Sequence, residues 1–308
     1  MRITNNITAL NSHRQYGINV NKLGKNVEKL SSGYRVNRAA DDAAGLAISE
    51  KMRAQIRGLN MASKNSQDAI SLVQTAEGGL QTIQNILQRV RELAVQAASD
   101  TNTKEDRIQI QREVNALVAE VDQIVRTTQF NTMTLLDGRY QPADGKSQFV
   151  IQAGANMGET MTISIGPMSA YALKLVNSPA VPGTGEVSGI LVVDLSGIDG
   201  NPTAIAALSG GVTTQSEASA ALGVVDLALT SISNLRAELG AYQNRLEFKI
   251  HNLDNQAENL AAAESRIRDT DMAKMMTEFT KNNILFQAST AMLAQANALP
   301  QAMLQLLG

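Results

Sequence analysis

The fold is decided by one long stretch, Ser216–Ile267, which reads SEASAALGVVDLALTSISNLRAELGAYQNRLEFKIHNLDNQAENLAAAESRI. An apolar residue recurs in this stretch at every seventh position without interruption. A repeat of seven sustained over this length is typical of a coiled-coil seam rather than of an ordinary surface helix. At about 1.5 Å per residue the seam is roughly 63 Å long, so it needs partner helices of similar length. The seam residues are Val225, Ile232, Leu239, Leu246, Leu253, Leu260 and Ile267.

Composition excludes several classes of protein. The 308 residues include 27 basic and 29 acidic side chains, and this balance argues against nucleic acid as a partner, because phosphate binding needs a basic surface. Apolar residues make up 44% of the chain but aromatic residues only 3%, which favours thin helical seams over a thick globular core. Cysteine is absent, so disulfides and thiolate metal sites are excluded. We find no run of about 18 apolar residues and expect no membrane span.

Three helices are predicted in the first half of the chain from apolar spacings of three and four. The first covers residues 5–32 and ends at Gly33, a residue suited to a left-handed cap. The second follows a connector at 34–45 and continues to about Ser99, and the third follows a turn at 99–103. Because a short turn joins the second and third helices, we expect them to lie antiparallel and to form a bundle with the long seam. Their predicted apolar faces are Val73, Ala76, Leu80, Ile83, Leu87, Val90, Ala94 and Ala97, and then Ile110, Val114, Leu117, Val121 and Ile124.

The middle of the chain changes character. Residues 148–165 alternate apolar and polar side chains on either side of a glycine-containing turn at 154–159, which predicts a β-hairpin. Residues 177–215 are rich in Gly, Ser, Thr, Ala and Pro, with one strand candidate at Ile190–Leu195. We expect this segment to be the outermost surface, because it lies at the far end of an out-and-back chain.

The two ends of the chain carry more apolar surface than they can cover by themselves. A last helix follows a charged joint at 265–272, and from Asn282 to Gly308 there is no charged side chain. A helix that is neutral all round is expected to be buried, with the first helix on one side and other copies of the chain on the rest. Ends of this kind order as they assemble, and head-to-tail contacts that do not close give filaments. The predicted packing residues are Ile3, Ile7, Leu10, Val20, Leu23, Val27, Leu30, Phe279, Phe286, Leu293, Leu304, Leu306 and Leu307.

Catalytic chemistry has little support in the sequence. The two histidines, His13 and His251, have no second histidine at metal-ligand spacing. The run 145–147, Gly-Lys-Ser, imitates the tail of a phosphate-binding loop but lacks its first glycine. The paired carboxylates Asp41 and Asp42 precede a predicted helix and are expected to cap it. We therefore expect no catalytic centre, no metal and no cofactor.

Eight sequence motifs occur along the chain, outside the segment at 177–215. They are MRITNNI at 1–7, LSSGYRVN at 30–37, DDAAG at 41–45, LQRVRELAVQ at 87–96, TQFN at 128–131, QAGAN at 152–156, SRIRDTD at 265–271 and QANALP at 295–300. Together they closely resemble bacterial flagellins. The resemblance covers roughly residues 1–176 and 216–308, and the short segment between these ranges indicates a form without large outer domains.

The resemblance implies a mainly α fold. Its parts are a long antiparallel helical bundle or coiled coil, a small β-hairpin region, and paired N- and C-terminal helices. It also implies five segments along the chain. These are the N-terminal half of the filament-core helical domain with its connector at 1–40, the N-terminal part of the rod at 41–176, a variable surface segment at 177–215, the C-terminal rod helix at 216–268, and the C-terminal half of the core domain at 269–308.

The resemblance further implies a structural subunit that polymerises into the extracellular flagellar filament and serves motility. Flagellins leave the cell through the flagellar type III apparatus, which agrees with a start, Met1–Asn6, that lacks the apolar region of a cleaved signal peptide. The implied partners are other subunits, an export chaperone at the C-terminal helix, and the filament cap and hook-junction proteins. Neither a nucleic acid nor a membrane is expected as a partner.

Host receptors are also implied by the resemblance. The residues that match the face recognised by Toll-like receptor 5 are Arg89, Val90, Leu93, Gln96, Glu113 and Val114. On spacing alone, the charged residues of this stretch would be interpreted as a solvated ion-pair face. The leucines that match those recognised by a cytosolic inflammasome sensor are Leu304, Leu306 and Leu307.

Two alternatives stay open at this point. A hook–filament junction protein would share the end helices, although the motif at 87–96 favours a flagellin. A secreted, membrane-active coiled-coil translocator belongs to a different class, and it would need a long apolar hairpin that the sequence does not contain.

Overall fold

A computed structural model of the chain describes residues 6–139, 148–176 and 211–307, with side chains as far as 298. Its helices are α1 (Ile7–Ser32), α2 (Ala43–Ala97), α3 (Lys104–Thr127), α4 (Gln215–Arg268) and α5 (Met272–Leu307). Its strands are β1 (Gln129–Phe130), β2 (Met133–Thr134), β3 (Phe149–Gln152) and β4 (Thr160–Ile163), which form two antiparallel hairpins. The predicted fold class is confirmed, because long helices dominate, the two sheets are small, and the first and last helices contact each other.

Two compact units divide the chain. We call Gly58–Asp254 the rod unit, and the described parts of Met1–Arg57 and Asn255–Gly308 the terminal unit. The long helices α2 and α4 each contribute to both units. The five-segment division stays a prediction, since the boundaries of the two compact units do not coincide with its boundaries.

The core of the rod unit is the predicted seam between helices. The α4 residues from Val225 to Leu253 that recur at intervals of seven are all buried, and those as far as Leu246 form one cluster with every residue of the predicted α2 face. Polar contacts fix the direction of the two helices, because Arg91 contacts Asp226 whereas Ser63 contacts Asp254. The numbering rises on α2 as it falls on α4, so the two helices are antiparallel.

The buried face of α3 is wider than its apolar spacing predicted. Leu117 and Ile124 are half-buried at the edge of the cluster, and Val118 and Val125 are buried in their place. A straight helix has about 3.6 residues per turn, so a run of alternating threes and fours drifts sideways and brings the next residue inward. The predicted face of α3 is corrected accordingly.

The predicted hairpin at 148–165 is confirmed as β3 and β4. Phe149 pairs with Ile163, and both side chains point into the rod core. The shorter hairpin of β1 and β2 was not predicted. Its two turn residues, Asn131 and Thr132, have φ of 48° and 64°, the left-handed values that a tight two-residue turn requires.

A buried glutamine anchors the chain where it returns from the outer segment. Gln111 on α3 is fully buried, and its Oε1 accepts a hydrogen bond of 2.6 Å from the backbone N–H of Val212. Val176, just before the segment at 177–215, and Val212, close to the end of that segment, are both buried in the rod core. Most of the segment at 177–215, including the strand candidate Ile190–Leu195, lies outside the described residues.

One described helix, α4, is long and apolar enough to cross a membrane by its length and composition alone. The same helix supplies the buried seam residues of the rod, for example Ile232 and Leu239, so packing within the rod accounts for its apolar character.

The buried seam predicts the effect of shortening one leucine. We expect Leu239→Ala to destabilise the rod unit by about 3 kcal/mol, because the removed methyl groups leave a cavity in a packed core. The matched control is Leu227→Ala on the same helix, where the side chain is 66% exposed and the expected loss is below about 0.5 kcal/mol. Urea denaturation followed by circular dichroism compares the two variants, and equal losses would contradict the seam.

Candidate functional site

The terminal helices α1 and α5 form an antiparallel pair. Asn6 Nδ2 donates to the backbone oxygen of Ala296 at 2.8 Å, and Asn19 Nδ2 donates to Ser289 Oγ at 2.5 Å. As the numbering rises on α1 it falls on α5, so the helices run in opposite directions. The predicted pairing of the first and last helices is therefore a direct contact within one chain.

The contact between α1 and α5 follows a heptad pattern. Fourteen positions, spaced alternately by three and four, are all buried or half-buried. Alternation of this kind is the pattern of a coiled-coil seam. Several of the seam positions carry small polar residues instead of aliphatic ones. On α1 the positions are Ala9, Ser12, Tyr16, Asn19, Leu23, Asn26 and Leu30, and on α5 they are Met275, Phe279, Asn282, Phe286, Ser289, Leu293 and Ala296.

Four residues expected in this packing seam point away from it. Ile7, Leu10, Val20 and Val27 are 61%, 66%, 38% and 49% exposed, and we call them the outer stripe. The prediction followed the apolar residues, but the inward positions beside Val20 and Val27 are taken by Asn19 and Asn26. Leu23, Leu30, Phe279, Phe286 and Leu293 do lie at the seam.

Helix α5 also presents apolar side chains to solvent. Met276, Ile284 and Met292 are 50%, 60% and 63% exposed. A groove of about 300 Å³ runs between the helices, with Leu285 on its α5 wall and Gln15 on its α1 wall. Contact with α1 therefore covers one side of α5 and leaves the other sides open. Ile3 lies outside the described residues, as do the side chains of Leu304, Leu306 and Leu307.

A second candidate surface lies on the rod unit around Arg89. The guanidinium of Arg89 donates from Nε to Glu113 Oε1 at 3.0 Å and pairs through Nη1 with Glu92 Oε2 at 3.2 Å. The Glu113 carboxylate, and then that of Glu92, raises the pKa of Arg89 above its usual range. These three side chains are about half exposed, and Gln96, also on α2, is exposed as well. The result is a charged patch with a fixed arrangement of side chains.

The other three residues expected at the receptor surface are in the core. Val90 and Val114 are 0% exposed, and Leu93 is 2% exposed. They occupy the inward faces of α2 and α3, because their spacing of three and four residues from the other seam residues places them in the apolar core of the rod. The expectation that these three are direct contact residues is therefore corrected, and in this conformation they support the surface from beneath.

A joint connects the end of α1 to the end of α4 within the terminal unit. Gly33 ends α1 with φ of 74°, the left-handed cap that the sequence predicted. The next residues pair with the end of α4 through a bridge between Tyr34 and Asp269, and the Arg268 guanidinium lies 4.8 Å from the centre of the Tyr34 ring. Arg268 also pairs with Glu50 on α2 at 2.5 Å. The two motifs at 30–37 and 265–271 thus meet in space.

The paired carboxylates have structural roles. Asp42 Oδ1 accepts the backbone N–H of Gly45 at the start of α2, as expected of a cap. Asp41 instead accepts the backbone N–H groups of Asn37 and Arg38 and closes a turn in the connector, which lowers its pKa. Across the described ranges, no group of three or more His, Asp or Glu residues could hold a metal ion. The run at 145–147 lies outside those ranges.

Comparisons with known proteins all match a single family. Residues 3–141 match the bacterial flagellin N-terminal helical region, and residues 222–307 match the bacterial flagellin C-terminal helical region. The chain is 52% identical to a flagellin of Halalkalibacterium halodurans and 53% identical to a flagellin of Bacillus subtilis, each over 100% of both chains. A crystal structure of Bacillus cereus flagellin is 29% identical, with a TM-score of 0.45 over 65% of this chain and 94% of that chain.

The joint predicts a dependence of stability on pH. The hydrogen bond from Arg268 lowers the pKa of Glu50 below its ordinary value of 4.5. A carboxylate with a lowered pKa contributes stability above its ordinary pKa and loses that contribution as pH falls through the lowered value. We expect Glu50→Gln to lower the Tm at about pH 6 and to reduce the further fall in Tm toward about pH 3. Thermal denaturation followed by circular dichroism measures both effects. Glu258→Gln, which changes an exposed glutamate of α4, is the control and should follow the wild-type profile.

Proposed function

This chain belongs to the bacterial flagellin family, and from that premise we propose which of its surfaces serve the flagellar filament and which meet other partners. As a flagellin it is a structural protein of motility, a subunit that polymerises into the extracellular filament. The proposals below concern the residues that perform this role and the partners beyond the filament itself.

The polymerisation surface is the outer stripe of α1 together with the open sides of α5. The observation that carries this proposal is the inside-out arrangement of the terminal pair, in which Asn19 and Asn26 face inward while Val20 and Val27 face outward. Several exposed apolar residues on one pair of helices mark a candidate site of protein–protein contact. A Cβ added at Gly17 or Gly24 on α1 would meet no atom within 4 Å, so a neighbouring helix can approach this face closely. The occupant is a second copy of the chain.

A carboxylate placed in the outer stripe tests the polymerisation surface. We expect Val27→Asp to raise the protein concentration needed for growth on filament seeds by roughly tenfold or more, because an unpaired charge would be buried between subunits. Light scattering measures the growth, and electron microscopy confirms the filaments. The control is Asn21→Asp, which adds the same charge at an exposed polar position of α1 and should leave growth near the wild-type rate. Normal elongation of the Val27→Asp protein would contradict the proposal.

The export and assembly partners bind the same ends of the chain. The uncharged run from Asn282 onward gives a chaperone an apolar helix to hold before export, and release of that helix makes it available to neighbouring subunits. The cap and hook-junction proteins would meet the terminal unit at the two ends of the filament. We also propose that the chain is exported without a cleaved signal peptide. A cytosolic inflammasome sensor would recognise Leu304, Leu306 and Leu307. No observation in the described residues favours the junction-protein or translocator alternative for the chain itself.

The Toll-like receptor 5 surface is the exposed patch of Arg89, Gln96 and Glu113. Two geometric features support it: the patch is accessible, and the ion pairs of Arg89 hold its guanidinium in one place. A guanidinium fixed in advance loses less side-chain freedom on binding, and Arg is enriched among residues that dominate binding energy. Val90, Leu93 and Val114 shape the patch by packing below it.

Two arginines of α2 allow a matched test of the receptor surface. We expect Arg89→Ala to weaken binding to the receptor ectodomain by roughly tenfold or more, as truncation of a central arginine does at other interfaces. Arg91→Ala is the control, because Arg91 has a similar exposed fraction, 49% against 51%, but pairs with Asp226 instead. Surface plasmon resonance with monomeric protein compares the affinities, and circular dichroism checks that the helices are intact. Equal losses of receptor affinity in the two variants would contradict the proposed receptor surface.

A further inference from the structure

One phenylalanine of the rod unit points into solvent. The chain has five phenylalanines, and four of them are buried or half-buried, whereas Phe248 on α4 is 76% exposed. Phe248 follows the buried seam residue Leu246 by two positions, which turns its side chain about 200° around the helix and away from the core. A single exposed apolar residue is common on protein surfaces. The meaning of Phe248 comes from a second feature at the same level of the rod.

That second feature is an apolar groove on the rod unit, between α2 and the two hairpins, which we call the rod groove. Its volume is about 460 Å³. Several of its apolar side chains are only half-buried, so the groove presents apolar surface to solvent. One carboxylate, that of Asp68, stands at its side and is exposed. The lining includes Asp68 and Leu72 of α2, Phe130 of β1, Met133 of β2, and Phe149 and Ile151 of β3.

Phe248 and the rod groove lie at the same level along the rod. Gln243 of α4 donates to Glu77 of α2 at 3.3 Å, and Ser63 of α2 donates to Asp254 of α4 at 3.1 Å. Phe248 is about midway between the two α4 residues of these contacts. The α2 side of the rod groove falls between the two α2 residues. The two features are therefore side by side along the axis and not at opposite ends.

The two features nevertheless face different directions. Asp68 and Leu72 each lie five positions from an α2 residue that contacts α4, which is Ser63 for the one and Glu77 for the other. Five residues turn about 140° around a helix, so the rod groove opens away from α4. Phe248 points outward from α4 itself. One molecule cannot place its own Phe248 in its own groove, and such a contact has to join two copies.

The charges beside the two features are opposite in sign. Arg245 lies one turn before Phe248 and is exposed, and its guanidinium is 5.8 Å from the centre of the Tyr242 ring. Within the described ranges, neither Arg245 nor Asp68 makes an ion pair. An available guanidinium thus accompanies the phenylalanine, and an available carboxylate accompanies the groove. Complementary charges of this kind orient two surfaces as they meet.

We propose that the rod units of two copies contact each other side by side, with Phe248 of one copy inserted in the rod groove of the other and Arg245 paired with Asp68. Aromatic residues and arginine are enriched at the centres of protein interfaces. Because the projecting residue and the groove are on different faces, the contact is heterologous, and each copy can offer its free groove to a further copy. This inference rests on the proposed polymerisation surface in one respect, since the terminal helices bring the copies together.

Cross-linking from position 248 tests where this side chain lies in the filament. The full-length chain carries Phe248→p-benzoylphenylalanine, a photoreactive residue of similar shape, and filaments are grown on seeds from a mixture of isotopically labelled and unlabelled chains. We expect mass spectrometry to find position 248 of one copy joined to residues 65–72 or 130–152 of another. Leu227→p-benzoylphenylalanine is the control, because Leu227 is 66% exposed on the same face of α4, three heptads earlier, and should not reach the rod groove.

Exchange of the two charges tests the pairing. We expect Arg245→Asp and Asp68→Arg, each alone, to raise the protein concentration needed for growth on seeds by roughly fivefold or more, because each variant brings like charges together. The double variant restores opposite charges and should return to within about twofold of the parent. Light scattering measures growth, and circular dichroism checks that each monomer keeps its helices.

Removal of the aromatic ring tests the apolar part of the contact. We expect Phe248→Ser to raise the required concentration by roughly fivefold or more, as loss of a central aromatic residue does at other interfaces. Leu227→Ser is the matched control and should grow like the parent, since no groove of the rod is assigned to it.

Three results would overturn the proposal. They are cross-links from position 248 that leave out the rod groove, normal growth of the Phe248→Ser protein, and a double charge variant that grows no better than the single ones. Normal elongation of the Val27→Asp protein would instead contradict the proposed polymerisation surface, and the cross-links in its filaments would still decide the rod contact. The two proposals are therefore tested by separate readouts.

Discussion

The rest of the structure depends on one constraint, which is that a long apolar seam must be covered along its whole length. A bundle of a few helices is only two layers thick, so each apolar residue at heptad spacing has to find a partner on an adjacent helix. In the rod unit α2 and α3 satisfy this requirement for α4, and the residues at intervals of seven from Val225 to Leu253 are buried. In the terminal unit the requirement is met on one side of α5 only, and apolar residues on its other sides remain exposed.

Most of the rod could be predicted from sequence because its apolar residues follow a single period. The α4 seam from Val225 to Leu253, the α2 face, the Gly33 cap and the β3–β4 hairpin all follow from spacing or from one residue type, and the structure confirms them, whereas the last two predicted seam residues, Leu260 and Ile267, are half-buried. Gln111 shows where such prediction stops. Its buried side chain accepts a hydrogen bond from the backbone N–H of Val212, a residue about a hundred positions away. No periodic pattern in the sequence indicates such a contact.

The terminal helices were harder to predict for a different physical reason. Apolar spacing finds the face with the most aliphatic residues, and in α1 that face is outward because the inward seam is polar. The same limit applies to the Arg89 patch, where the family resemblance named six residues but could not separate the exposed ones from those buried beneath them. Val90, Leu93 and Val114 belong to the seam of the rod by their spacing, and the seam decides where they point.

The anchor at Gln111 has a consequence for what the chain can carry. The chain leaves the rod core at Val176 and returns to it at Val212, and both residues are packed into a core that closes beneath them. Val176 and Val212 are held by contacts with α3 and with the buried core of the rod. Foreign peptides inserted between these two residues would therefore leave the rod fold intact. Repeated along a filament, that graft site would become a dense, ordered array for antigen display.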